Sequence, residues 1–92
     1  MENRHYDNLC AAAAHFGIVA QVEKTVEEAR ELVTELLYWR ETGTPRENTV
    51  AEIADVYNML DQLCILMDWE EQAQAAAEQK MERTIVRYAI GA

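Results

Sequence analysis

Apolar residues recur at steps of three and four along almost the whole chain, which is the spacing of one face of an α-helix. Glycine occurs three times and proline once, so few positions interrupt the pattern. No segment shows the period-two alternation of a half-buried strand. The pattern predicts an all-α fold.

Breaks in this pattern divide the chain into four predicted helices. Gly17 interrupts the apolar spacing, and the Gly-Thr-Pro segment Gly43 to Pro45 interrupts it again. Thr44 to Glu47 reads as a capping box with proline at the first helical position, and Asp68 to Glu71 repeats the arrangement. We therefore predict one domain, residues 1–92, with helices over about residues 3–15, 19–41, 45–67 and 69–89.

The second and third predicted helices carry polar side chains where a core is expected. On the second helix an apolar stripe of Val22, Val26, Ala29, Val33 and Leu36 runs beside a polar stripe of Gln21, Lys24, Glu28, Glu31 and Glu35. On the third, the core positions are Glu52, Val56, Met59, Leu63 and Leu66. A buried, unpaired carboxylate is unfavourable, so Glu52 requires a cation, a proton or a salt bridge.

Two acidic clusters face each other if these helices fold back on one another. The position numbers of Glu28 and Asp55, and of Glu31 and Glu52, add to 83 in both cases, which places the reversal near residues 41–42, beside the predicted turn. Each cluster presents its carboxylates on one helix face, where they repel unless protons or cations compensate. A ligand set of oxygen atoms alone favours Mg²⁺ or Mn²⁺ over zinc.

Basic residues leave two questions open. The acids are either a divalent metal site or a structural network in which carboxylates pair with Lys24 or Arg46. Lys80, Arg83 and Arg87 share one face of the fourth helix. They either complement the helix dipole or, opposite a metal-loaded acidic cluster, bind a polyphosphate.

Composition narrows the class of protein. The net charge of −9 opposes binding to nucleic acid or to anionic membranes, and no apolar run approaches the ~18 residues of a membrane span. The first residues lack the apolar region of a signal peptide, so we expect a cytoplasmic protein. Ninety-two residues support only a small core, which oligomerisation would extend.

The pattern Glu27-Glu28-x-x-Glu31, twenty residues, then Glu52-x-x-Asp55, resembles the MazG-like all-α nucleoside triphosphate pyrophosphohydrolases, especially the small single-domain versions of phages and prophages. The similarity extends from Phe16 to Arg83. It implies a four-helix MazG-like bundle, assembled as a homodimer or homotetramer, that hydrolyses (d)NTP between the α and β phosphates to (d)NMP and pyrophosphate.

The resemblance also implies roles for individual residues. The Mg²⁺ ligands would be Glu28, Glu31, Glu52 and Asp55, and Glu31 or Glu27 would orient or deprotonate the attacking water. Lys80, Arg83 and Arg87 would bind the outer phosphates, with Lys24 assisting.

Gln21, Trp39 and Asn58 are candidates for contacts with the base, although each is also an ordinary packing residue. The alternative function is a catalytically silent helical module with an interaction or regulatory role, whose acids form a solvated or proton-sharing surface.

Overall fold

The computed structural model describes residues 3–91, and within that range it contains three α-helices and no strand. They are α1 (Arg4–Thr42), α2 (Thr49–Met67) and α3 (Glu70–Arg87). The predicted all-α class is confirmed. Residues 1, 2 and 92, which the predicted domain includes, lie outside the described residues.

Gly17 explains why four predicted helices become three elements. Its φ of 74° and ψ of 172° are not helical, yet helical structure continues on both sides, so the first two predicted helices are two segments of α1. Positive φ is accessible to glycine because it has no Cβ atom. The predicted interruption at this position is confirmed, but it does not separate two elements.

The ends of α1 lie close to their predicted positions. The Tyr6 backbone N–H donates to Asn3 Oδ1 at 2.9 Å, which caps the first turn. At the other end Gly43 adopts a left-handed conformation, with φ 79°, and its N–H donates to the Trp39 carbonyl at 2.7 Å. The chain then reverses before α2, as the position sums predict.

The start of α2 differs from the prediction. The helix begins at Thr49, four residues after Pro45, and the predicted capping box is not formed. Arg46 instead pairs with Glu35 of α1, and Asn48 uses its side-chain amide to contact Glu52. These two contacts hold residues 46–48 outside the helix, so α2 starts at Thr49 and not at Pro45.

The junction of α2 and α3 also departs from the prediction. Asp68 adopts a left-handed conformation with φ 56°, and its backbone N–H donates to the Ile65 carbonyl at 3.2 Å. It therefore ends α2 and does not cap α3. The last helix ends at Arg87, two residues before the predicted end, and Ala89 has φ 51°.

Helices α1 and α2 form an antiparallel pair with a small apolar core. Leu9 and Ala13 are the only buried hydrophobic residues within residues 3–91, and Leu9 keeps 7% of its surface exposed. In α2 the predicted seam is confirmed, because Glu52 is buried and the apolar seam positions are half-buried. The buried polar residues are Gln21, Glu35, Thr49, Glu52 and Gln62.

Helix α1 turns its polar stripe toward α2 and leaves its apolar stripe outside. Gln21 has no exposed surface, whereas Val33 is 52% exposed, and Val22, Val26 and Leu36 are exposed to similar degrees. The apolar face is therefore unpartnered in a single chain.

Helix α3 makes only a limited contact with α2 and none with α1 at the level of the backbone. One chain consequently does not close into the predicted four-helix bundle. No helix within residues 3–91 combines the length and the apolar character needed to cross a membrane.

Candidate metal centre

Three carboxylates from α1 and α2 converge between the two helices, near the start of α2. One oxygen each of Glu28, Glu31 and Glu52 lies within 4.8 Å of the other two. Glu28 and Glu31 are one helical turn apart, so both side chains leave the same face of α1. Glu52 projects from the first turn of α2. The predicted convergence of these three residues is therefore present in the structure.

Asp55, the fourth predicted ligand, stands at the edge of this group. Its side chain is exposed, and it is not among the three residues whose oxygens meet within 4.8 Å. Its negative charge nevertheless contributes to raising the pKa of both Glu28 and Glu52. It thus lies within electrostatic reach of the cluster.

Two carboxylate oxygens in the cluster are buried without a hydrogen-bond partner among the described residues. They are Glu28 Oε2 and Glu52 Oε2. The other oxygen of Glu52 accepts a hydrogen bond from Asn48 Nδ2 at 2.9 Å, and Glu52 as a whole is only 8% exposed. Burying a carboxylate oxygen without a hydrogen-bond donor costs free energy, and a bound proton or cation would offset that cost.

The electrostatics agree with the geometry. Burial, followed by the negative charges of Glu31, Asp55 and Glu52, raises the pKa of Glu28. Burial and the charges of Glu31 and Asp55 likewise raise the pKa of Glu52, although the hydrogen bond from Asn48 lowers it in part. Both shifts have the causes expected when like charges share a partly desolvated site.

No salt bridge neutralises the cluster within residues 3–91. Arg46 Nε donates to Glu35 Oε2 at 2.9 Å, and Lys24 Nζ lies 5.0 Å from the centre of the Phe16 ring. The two basic residues of the alternative structural network are therefore engaged with other partners.

Glu27 lies apart from the carboxylates that converge. It is exposed and lines an open groove on the surface of α1. Glu31 lines the same groove and also belongs to the cluster, so of the two predicted catalytic residues only Glu31 joins the three-carboxylate group.

The predicted phosphate-binding residues on α3 are separated from the acids in a single chain. Lys80, Arg83 and Arg87 are exposed, and Arg83 and Arg87 line a surface depression formed by α3 alone. Apart from the hydrogen bond between Tyr6 and Glu70, which lies at the opposite end of α3, no hydrogen bond, salt bridge or backbone contact joins α3 to α1 within residues 3–91, and the three cations lie on a face that is open to another molecule.

The candidate base contacts lie in three different environments. Gln21 is fully buried, and its amide Nε2 donates to the Met59 carbonyl at 3.3 Å. Trp39 is 43% exposed near the end of α1, and Asn58 is half-buried in α2. Their role in base recognition stays a prediction.

Two features beside the cluster are predicted only in part or not at all, since the sequence pattern offers Arg46 as a possible partner of the carboxylates without identifying Glu35 or Tyr38 as its contacts. Asn48 positions Glu52, and its spacing of four residues from Glu52 is the available signal. The second feature joins Arg46 to Glu35 and to Tyr38, whose ring centre lies 3.9 Å from the guanidinium carbon. It depends on contacts between helix and connection that no local spacing reveals.

Comparison of the chain with protein-family models, with curated proteins and with solved structures found no match. The resemblance to the MazG-like family therefore stays a prediction. The three-carboxylate group and its surroundings are the features of the chain that bear on its function.

Proposed function

We propose that this protein is a divalent-metal-dependent nucleotide pyrophosphohydrolase of MazG-like type, which cleaves (d)NTP to (d)NMP and pyrophosphate. The observation that carries the proposal is the convergence of three carboxylate oxygens within 4.8 Å. Two buried oxygens without hydrogen-bond partners, on Glu28 and Glu52, strengthen it. No cation from the chain itself neutralises the group within residues 3–91.

The donor set fits a hard cation. Carboxylate oxygens suit Mg²⁺ or Mn²⁺, and the raised pKa values of Glu28 and Glu52 show that the charged carboxylates are disfavoured in the cluster when no cation is bound. Glu28, Glu31 and Glu52 would hold the ion, with Asp55 completing the set. When bound, Mg²⁺ supplies Lewis-acid polarisation of phosphate oxygens and charge neutralisation.

The residues of the chain supply the remaining functions. Asn48 orients Glu52 through its 2.9 Å hydrogen bond, so the buried carboxylate is preorganised. Glu31 is both clustered and exposed, and it would orient or deprotonate a water molecule that reaches the site from solvent; Glu27 is the alternative for this role.

A homo-oligomer is part of the proposal. The exposed apolar stripe of α1 and the weakly packed α3 are surfaces that a second copy would cover, giving a homodimer or homotetramer with the four-helix packing that one chain lacks. In such an assembly Lys80, Arg83 and Arg87, with Lys24 assisting, would approach the phosphates bound at the cluster of a neighbouring subunit.

The decisive assay is a panel of canonical and modified nucleoside triphosphates with Mg²⁺, with Mn²⁺ and with a chelator. Stoichiometric nucleoside monophosphate and pyrophosphate, formed only with metal, are expected. Release of orthophosphate as the sole inorganic product, or no turnover of any nucleotide, would contradict the proposal.

The second candidate is a catalytically silent helical interaction module. The observation that favours it is the number of large apolar side chains exposed on a chain with a minimal core, because such surfaces mark protein interfaces. The two candidates differ in their response to metal. The enzyme should gain thermal stability with Mg²⁺, whereas the module should show no increment.

A further inference from the structure

The connection between α1 and α2 contains an arginine whose side chain is held in place while most of its N–H donors have no hydrogen-bond partner within residues 3–91. Arg46 Nε donates to Glu35 Oε2 at 2.9 Å, and the guanidinium lies over the Tyr38 ring at 3.9 Å. Within residues 3–91 its side chain makes no other hydrogen bond or salt bridge. An arginine has five N–H donors, so its two Nη groups retain four.

Burial differs sharply between the two members of this pair. The side chain of Glu35 is 11% exposed, whereas that of Arg46 is 46% exposed. The carboxylate therefore acts as a buried anchor, and the guanidinium is presented to solvent. The stack on Tyr38 fixes the plane of the fork, so little side-chain entropy is lost when a ligand binds the free edge.

Two paths along the chain connect Arg46 to the carboxylate cluster. Glu35, its anchor, follows Glu31 by four residues and lies one turn further along the same face of α1. On the other side, Arg46 precedes by two residues Asn48, whose amide is bound to Glu52. The anchor of Arg46 thus lies one turn of α1 from Glu31, and the short connection through Asn48 joins Arg46 to the Glu52 side of the cluster.

We propose that Arg46 is a substrate-binding residue that grips a non-bridging oxygen pair of the polyphosphate through its free Nη groups. This inference depends on the proposed function, because it assumes that a phosphate chain lies across the carboxylate cluster. Planar, bidentate recognition of phosphate is the task for which arginine is suited and lysine is not. The single chain thereby supplies both the carboxylates and one phosphate donor, without the cations of α3.

The test uses inorganic triphosphate with Mg²⁺ as the probe, with dissociation constants measured by calorimetry and melting temperatures measured in parallel. Arg46→Lys keeps a cation that can pair with Glu35 but loses the fork. It is expected to melt close to the wild-type temperature and to bind triphosphate several-fold more weakly. Arg46→Gln is expected to raise the dissociation constant about tenfold or more.

Arg40→Gln is the matched control, because Arg40 is an exposed arginine near the end of α1, the helix that carries Glu35 and Tyr38, and pairs loosely with Glu41 at 3.7 Å. It removes the same charge and should leave triphosphate affinity within twofold. Equal weakening by Arg40→Gln, unchanged affinity in both Arg46 variants, or no binding of triphosphate by the wild-type protein would each overturn the inference.

The outcome separates this inference from the proposed function. Arg46-dependent binding without turnover of any nucleotide would leave the role of Arg46 standing and remove the hydrolase. Turnover to monophosphate and pyrophosphate with unchanged triphosphate affinity in the Arg46 variants would do the reverse. In the active enzyme, Arg46→Lys is expected to raise KM for nucleotide more than it lowers kcat.

Discussion

Helices α1 and α2 hold each other through polar side chains that are buried between them, whereas α3 buries none of its residues. The pair contains the three-carboxylate group, the Glu52–Asn48 hydrogen bond and the Glu35–Arg46 salt bridge. Helix α3 carries three cations on an open surface.

This contrast separates what one chain does from what an assembly does. Acids from α1 and α2 meet because an antiparallel pair brings both sets together within a single molecule. The cations of α3 have no partner among these acids, so any shared site requires a second copy. Metal binding is therefore expected of an isolated chain, and phosphate contacts from α3 are expected only of an oligomer.

The largest effect is expected from Glu52→Gln, which alters the three-carboxylate group of the α1–α2 pair. Loss of a buried ligand should reduce nucleotide turnover by about 100-fold or more and abolish the increase in melting temperature with Mg²⁺. Without metal the variant should be as stable as the wild type or more stable, because one of several repelling charges is removed.

Glu78→Gln is the matched control, since it removes the same charge from the exposed surface of α3. It should leave the metal response intact. If Mg²⁺ still raised the melting temperature of the Glu52→Gln variant, the ion would bind elsewhere. The metal site could then not be assigned to the α1–α2 pair.

The next effect is on stability and concerns Gln21→Ala. Gln21 has no exposed surface and its amide donates to the Met59 carbonyl, so truncation removes an interhelical hydrogen bond and leaves a cavity. We expect a loss of about 2 kcal/mol in the free energy of unfolding by urea titration. Gln79→Ala on exposed α3 should change it by less than about 0.5 kcal/mol. Equal losses in the free energy of unfolding would show that α3 contributes as much to stability as the α1–α2 pair.

The stability of the α1–α2 pair should depend on pH through Glu28 and Glu52. The pKa values of Glu28 and Glu52 are raised above the ordinary 4.5, so the folded protein binds more protons than the unfolded chain. Without metal their contribution to stability is present below pH 4.5 and is lost as pH rises through the raised values.

The measurement is the melting temperature of the wild type minus that of a Glu28→Gln, Glu52→Gln double variant, followed against pH. The difference should fall as pH rises without metal and rise with saturating Mg²⁺, since cation and protons compete. A flat difference in both conditions would contradict the like-charge cluster.

The smallest effect concerns the tie between α1 and α3. Tyr6 Oη donates to Glu70 Oε1 at 3.0 Å, and this bond is the largest cause that raises the pKa of Tyr6 to about 12. Glu70→Gln should move that phenol toward 10.0, as followed by ultraviolet titration of tyrosinate, whereas Glu71→Gln should not. Little change in melting temperature is expected, because the bond is exposed.

Local pattern was sufficient for the helical class and for the convergence of acids. Residues three apart share a helix face, and constant position sums describe any antiparallel pair, so Glu28, Glu31 and Glu52 could be placed together without coordinates. The non-helical conformation at Gly17 could likewise be predicted, because a glycine interrupts the apolar spacing at that position.

Pattern failed where tertiary contacts overrule local preference. Thr44 to Glu47 has the residues of a capping box, but Arg46 is drawn to Glu35 and the helix starts at Thr49. Asp68 has the chemistry of an N-cap and serves to end α2. The apolar stripe of α1 has the spacing of a buried face, yet α2 packs against the polar side, so Val33 stays 52% exposed in the single chain.

The left-handed Asp68 makes the joint between α2 and α3 very short, with Asp68 and Trp69 alone between the two helices. Helix α3 has 18 residues, which gives a rigid rod roughly 27 Å long. A rotation of about ten degrees at the joint would swing the far end, near Arg87, by roughly 5 Å. The torsion angles of these two residues therefore determine where the far end of α3, with Arg87, lies relative to the α1–α2 pair.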